Sequence, residues 1–255
     1  MSNQLRLKTL LVGGAGLLFV SLSAPFPANA ANASFPRGLV AINFDDGKRN
    51  IYTNAIPILN RAGLKSTFYI VTNYADGTHQ PNMRWPEIMA VHRQGHEIGA
   101  HTRTHRNLKK LNQEQRIAEI RGSRKDLERH DITNVQTFAY PYGIYTGRLM
   151  KLVREEGFSG ARVADGQVNS KTTHPYALHS FSITRKMSLK EITGVINKAV
   201  RQKKWLILTI HDVTAKPKLY GTTPKIFRGI VAHLKKNNIR VVTNAEGVEI
   251  MRATQ

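Results

Sequence analysis

Past its first thirty residues the chain alternates short apolar runs with segments of helical period, and this alternation limits the available folds more than any other feature. Apolar runs, most of them rich in β-branched and aromatic residues, occur at 38–44, 66–72, 96–101, 135–140, 158–163, 178–183, 205–211 and 239–243. Segments 51–62, 85–94, 113–130, 145–156, 188–203 and 223–237 lie between most of them, and in the third Ile117, Ile120 and Leu127 share roughly one helical face. Strand followed by helix, repeated this regularly, predicts βα units around a parallel sheet. No internal repeat, low-complexity tract or long linker interrupts the pattern, so one α/β domain is expected. Two polar stretches, 73–84 and 164–177, read as loops.

Residues 1–30 read differently. Arg6 and Lys8 precede an uncharged apolar run that ends in Ala28-Asn29-Ala30, the pattern of a secretory signal peptide. The run is short and glycine-containing for a membrane span. The expectation is an exported bacterial protein, periplasmic or secreted, with its domain at 31–255 and no transmembrane span after cleavage. There is no cysteine, so any metal must be held by His, Asp or Glu. With 38 Lys and Arg against 17 Asp and Glu, the net charge of +21 favours anionic envelope polymers as partners. No nucleic-acid-binding motif accompanies the charge, so specific nucleic-acid recognition is not expected.

The unusual polar residues fall at strand ends. Asp45 and Asp46 follow the first strand, "HTRTH" (101–105) the third, "YPYG" (140–143) the fourth, and His211-Asp212 the run 205–211. Taken singly, each has a bland reading: a turn, a basic loop, a satisfied core histidine. In a parallel barrel, however, the C-terminal strand ends open onto one face, where active sites are built. Asp46, His101 and His105 would supply one oxygen and two nitrogen ligands, the four-residue histidine spacing placing both imidazoles on one side of a helical turn. A divalent ion there makes hydroxide available near neutral pH. Asp45 would serve as base and His211 as the acid that protonates a leaving group, the chemistry of amide or ester hydrolysis.

These motifs resemble those of the polysaccharide deacetylases of the NodB-homology type (carbohydrate esterase family 4), over about residues 37–250. "NFDDG" is similar to the first family motif, T-F-D-D-G, with Asn43 for Thr; "HTRTH" matches H-[ST]-x-x-H; "LTIHD" is similar to the motif ending in His; "NNIRVVTNAEGV" resembles the last strand and helix. The resemblance implies a distorted (β/α) barrel in a single domain. It also implies one divalent ion, Zn or else Co or Mn, on Asp46, His101 and His105, with Asp45 as base and His211 as acid. The backbone N–H of Tyr142, beside Pro141, would face the oxyanion. The implied reaction is removal of N-acetyl groups from an N-acetylglucosamine-containing envelope or extracellular polysaccharide, peptidoglycan-like substrates included.

Two departures stand out. The family's third motif carries an arginine that steers the catalytic aspartate, and "FAYPYG" has Ala139 there; Lys48, Arg84 and Arg103 are the cations considered as substitutes. The fourth motif pairs an aspartate with a tryptophan, and "RVADGQVN" offers only Asp165. Among aromatics near the expected mouth, Tyr74, Trp85, Tyr142 and Tyr145 are candidates for a sugar platform. Two other readings compete. One is an iron oxygenase using the same two histidines and carboxylate. The other is a catalytically impaired basic envelope protein that binds an acidic glycan through the same fold.

Overall fold

The computed structural model describes residues 35, 38–77 and 81–253, so the signal peptide expected at 1–30 lies outside the described residues. Seven parallel strands form a curled sheet in the order β5-β4-β3-β2-β1-β7-β6. They are β1 Leu39–Phe44, β2 Thr67–Ile70, β3 Glu97–Ala100, β4 Thr137–Ala139, β5 Gly160–Arg162, β6 Phe181–Ser182 and β7 Trp205–Ile210. β1 and β7 pair over six residues and are buried throughout, as the long apolar runs of central parallel strands require. A small parallel pair, β8 Asp212–Val213 and β9 Gly221–Thr222, sits beyond β7.

The sheet curls towards closure without a strand pair at the seam. Residues 175–178 bond to β5 through Ala161 N–H to Pro175 O and Val163 N–H to Leu178 O, both 2.8 Å. The chain then crosses to β7, pairing Phe181 with Leu208. Residues 178–183 therefore serve two partners in turn, and only two of them join the sheet. The expected strand 239–243 likewise reduces to one bridge, Val40 with Val241.

The helices are α1 Ile56–Ala62, α2 Trp85–Arg93, α3 Gln113–Arg129, α4 Gly147–Glu155, α5 Leu189–Arg201, α6 Pro224–Lys236 and α7 Asn244–Arg252. Segment 51–62 is not uniform: Ile51–Ala55 is a π turn, with Ile56 N–H bonding Ile51 O. Pro57 has no N–H to give to Thr53, which removes one α-type bond at the junction. Side-chain caps define several starts, with reciprocal capping boxes at Asn112, Ser188 and Thr243.

A polar rod runs inside the barrel beneath its open end. Asn43 of β1 and Asn244 of α7 exchange amide bonds of 2.8 and 3.1 Å. Asn244 also donates to the Tyr69 hydroxyl at 2.7 Å, and that hydroxyl contacts Thr137 Oγ1 at 3.0 Å. Glu97 accepts from Thr67, Thr137 and the Ala245 N–H. Tyr69 has space for its ring because Gly99 faces it: a Cβ at 99 would lie 2.4 Å from the ring. Buried polar groups satisfied this completely specify one packing.

Candidate active site

At the C-terminal strand ends a cavity of about 400 Å³ gathers Asp45, Asp46, His101, His105, Tyr142 and His211. The topology explains the convergence, since β1, β3, β4 and β7 all run the same way and release their following residues on one face. Asp45 still belongs to the sheet, its N–H bonding Ile210 O at 3.2 Å, and is buried. Asp46 turns out of it at φ +65°. Thr102, His105 and Tyr142 also sit at positive φ, so four of the eight such non-glycine residues in the described chain are at this site or next to it. Each is a backbone state held at a cost of about 1 kcal/mol or more by its surroundings, as is common at functional sites.

His101 and His105 come together, with ring centroids 4.8 Å apart, but not on a helix. The segment bends. Thr102 Oγ1 accepts the His105 N–H at 3.0 Å, and buried Glu119 accepts the N–H groups of Arg103 and Thr104 at 3.0 and 2.9 Å. His101 Nδ1 lies 2.7 Å from Ala139 O, which assigns that nitrogen the proton and leaves Nε2 with a free lone pair. Burial holds both rings neutral, with the His101 pKa down at about 4 and that of His105 below its ordinary value.

The ligand atoms of Asp46, His101 and His105 all lie within 4.8 Å of one another. Asp46 Oδ1 is 3.5 Å from His105 Nε2 and 3.8 Å from His101 Nε2, and it is buried with no hydrogen-bond partner. A buried carboxylate oxygen without a donor, facing two imidazole lone pairs, fits a divalent cation with N/O preference.

Asp45 has the partner that the sequence reading missed. Arg162, at the end of β5 and only 1% exposed, donates from Nη2 to both Asp45 oxygens at 2.5 and 2.6 Å. Burial alone would raise the Asp45 carboxyl, but Arg162, His211 and His101 outweigh it and hold the pKa at about 2. The guanidinium lies 5.0 Å from the Tyr69 ring centre, placing the polar rod directly under the ion pair. Of the other cations, Arg103 pairs with Asp126 at 2.8 Å and Arg84 flanks Gly77 at the start of α2, while the charge of Lys48 lies near enough to His105 to help lower that ring's pKa. The usable signal was a lone arginine inside the strand run "FSGARV".

His211 follows β7 with its N–H on Tyr220 O, and its Nε2 lies 3.6 Å from Asp45 Oδ2. Its Nδ1 is buried without a partner. Asp165 does not reach it and instead bonds His179 Nδ1 at 2.6 Å. Asp212 is a buried strand residue, accepting from Asn50 Nδ2 at 2.9 Å. Pro141 is buried in a tight 3-10 turn, Pro141–Gly143, whose bonds come from the N–H groups of Gly143 and Ile144. The Tyr142 N–H is spared by that turn. Gly143 cannot carry a side chain, since a Cβ would lie 2.8 Å from Ala164 N at φ +68°. Trp85 lies elsewhere, stacked on His130 and bonded to Asp76 at 2.8 Å beside a separate small hollow.

Comparison with known proteins identifies the family of the chain. The family model described as polysaccharide deacetylase matches residues 32–161, just over half of the chain. The chain belongs to the polysaccharide deacetylase family. It is 29% identical over 135 residues to a poly-beta-1,6-N-acetyl-D-glucosamine N-deacetylase of Staphylococcus epidermidis, covering 48% of this chain and 47% of that one. An equivalent enzyme of Staphylococcus aureus matches to the same extent. The chain thus spans about half the length of these curated relatives. Among solved structures, the Bc1960 peptidoglycan N-acetylglucosamine deacetylase superposes with a TM-score of 0.60 at 21% identity, covering 82% of this chain and 87% of that one. The Streptococcus pyogenes deacetylase PplD gives a TM-score of 0.57 at 20% identity over 60% and 68% of the two chains. These likenesses establish the fold. The match of the family model ends one residue before Arg162 and well before His211.

Proposed function

We propose that this family member is a metal-dependent hydrolase that removes N-acetyl groups from an N-acetylglucosamine-containing polysaccharide outside the cytoplasm. The observation that carries the reading is the pairing of Asp45 and His211, 3.6 Å apart, beside the Asp46–His101–His105 triad in one open cavity. A divalent ion held by that triad, Zn or else Co or Mn, supplies Lewis acidity to a water and to the amide carbonyl. Asp45, ionised across the neutral range, accepts the proton of the attacking water, and Arg162 fixes its orientation. The Tyr142 N–H donates to the oxygen that becomes negative, an interaction usually worth roughly 10²–10³ in rate. Protonated His211 gives its proton to the departing sugar nitrogen, so amide and water become amine and acetate.

Arg162, paired with Asp45 although position 139 is alanine, supports the hydrolase reading over a binding-only protein. The paired Asp45 has no task in an iron oxygenase. The staphylococcal relatives are named for poly-beta-1,6-N-acetylglucosamine, which makes that polymer the first substrate to try. The test is acetate release from β-1,6- and β-1,4-linked N-acetylglucosamine oligomers and from peptidoglycan fragments, after chelation and with Zn²⁺, Co²⁺ or Mn²⁺ returned. Metal-restored release from one of these glycans is expected. Release that survives complete chelation would overturn the reading.

A further inference from the structure

The positive charge of this protein is not spread evenly. Residues 185–240 hold fourteen Lys and Arg against two acids, Glu191 and Asp212. Neither acid offsets a neighbour on the surface. Glu191 caps α5 by accepting the Ser188 N–H at 2.7 Å, and Asp212 is buried against Asn50 and the Lys218 N–H. The segment therefore carries +12 of the +21 total in under a quarter of the chain.

One end of this segment lies at the cavity mouth. Tyr220 lines the cavity, and the Arg185 N–H bonds Leu219 O at 2.9 Å, joining the stretch before α5 to the loop before β9. Arg185, Lys216 and Lys218 are exposed there, with Lys190 and Lys225 in the first turns of α5 and α6. A cation in a first helical turn opposes the helix dipole, so folding stability alone would favour acids at these positions. The helix N-termini add their own partial positive charge to the corner.

The same corner exposes apolar side chains. The exposed large hydrophobic residues among the described ones are Tyr142, Tyr145, Leu189, Leu219 and Tyr220, and the last three belong here. Leu219 is 47% exposed between Lys218 and Tyr220. Leucine has no flat face for a sugar ring and no hydrogen-bonding group for a polyanion. Placed among lysines, it matches the boundary between headgroups and acyl chains. No helix among the described residues is long and apolar enough to cross a membrane, so contact of this kind would be interfacial.

We propose that this corner docks the protein on the surface of a bilayer rich in anionic phospholipid. Lys216, Lys218 and Arg185 meet the headgroups, and Leu219 enters the interface. Because Tyr220 belongs to both patch and cavity, docking brings the cavity mouth to the membrane surface. The proposal does not depend on the catalytic reading.

The test is flotation of the full chain with phosphatidylcholine vesicles, with and without about 30% phosphatidylglycerol, at roughly 0.1 and 0.5 M NaCl. Binding that needs the anionic lipid and fades at high salt is expected. Lys216→Glu/Lys218→Glu should weaken it by about tenfold or more. Leu219→Ser should weaken it by roughly threefold to tenfold. Lys235→Glu/Lys236→Glu makes the same charge change at the far end of α6, roughly 15 Å or more from its start, and should weaken it less than about threefold. Thermal melts of all variants confirm that each is folded. Equal losses in the two double variants would overturn the proposal in favour of diffuse attraction. Binding without dependence on anionic lipid would assign it to another part of the chain. Retention of soluble heparin by both wild type and Leu219→Ser, with unchanged vesicle binding in Leu219→Ser, would make the corner a polyanion site instead.

Discussion

Arg162 stands directly across the β4–β5 register from Ala139 and donates to both carboxylate oxygens of Asp45. Position 139, where the family resemblance implies an arginine, holds alanine, and a guanidinium reaches Asp45 from the neighbouring strand instead. The ion pair is buried, at 1% and 6% side-chain exposure, so its geometry matters more than its Coulomb energy.

Removing the arginine should therefore damage both activity and stability. Arg162→Met leaves Asp45 buried without its main counter-charge, a change that typically costs about 3–5 kcal/mol. Thermal unfolding should show that loss, and kcat for acetate release should fall by roughly 10²-fold or more. Arg162→Lys should recover part of the stability but little of the rate, because an ammonium on a flexible stem orients a carboxylate poorly.

The register makes a stricter prediction. Ala139 and Arg162 are cross-strand partners, so an arginine moved to 139 starts beside the place the guanidinium now occupies. Ala139→Arg/Arg162→Ala should recover activity by about tenfold or more relative to Arg162→Ala alone, and Ala139→Arg in the wild-type background should destabilise by overpacking, at about 1–3 kcal/mol. Acetate release and melting temperature on the same four proteins decide it.

The strand and helix order, and the four polar clusters at strand ends, were readable from periodicity and position. Arg162 was not, because a strand assignment treats "FSGARV" as one apolar run and does not say which residue points inward across the barrel. Nor could spacing tell that His101 and His105 meet through a bend held by Glu119 and Thr102, since H-x-x-x-H suits a helix equally well. Residues 178–183 have strand composition but shift partners at the barrel seam, and 239–243 reach only one bridge, to Val40 of β1; both outcomes depend on tertiary packing. Asp165 lay at a plausible motif position, and only the fold pairs it with His179.

His96 gives a pH dependence away from the cavity. Its Nδ1 accepts the Ser66 N–H at 3.2 Å and its Nε2 faces Asn60 Oδ1 at 3.1 Å, so the buried ring is neutral. Burial first, and then Lys65, lower its pKa to about 4. A folded pKa below the unfolded value of about 6.5 means the unfolded chain binds the proton first. The contribution is therefore complete above about pH 6.5 and is lost as pH falls towards 4, by roughly 2 kcal/mol. Denaturant unfolding at pH 7.5 and 4.5 should show this difference in wild type and a smaller one in His96→Gln.

Metal binding and catalysis should separate by residue. Asp46→Ala and His101→Ala each remove a ligand atom and should weaken Zn²⁺ binding by about 10²-fold or more in calorimetry. His211→Ala, which touches none of the three ligands, should bind the ion within a few-fold of wild type while releasing acetate far more slowly.

The most direct test of the central claim is acetate release from β-1,6-linked N-acetylglucosamine oligomers by Asp45→Asn, measured beside wild type together with the Zn²⁺ affinity of both. The account predicts metal-dependent release by wild type, retained Zn²⁺ binding in the variant, and a fall in its rate of about 10³-fold or more. Comparable release by Asp45→Asn would contradict it, because the carboxylate that Arg162 holds would then have no part in the chemistry.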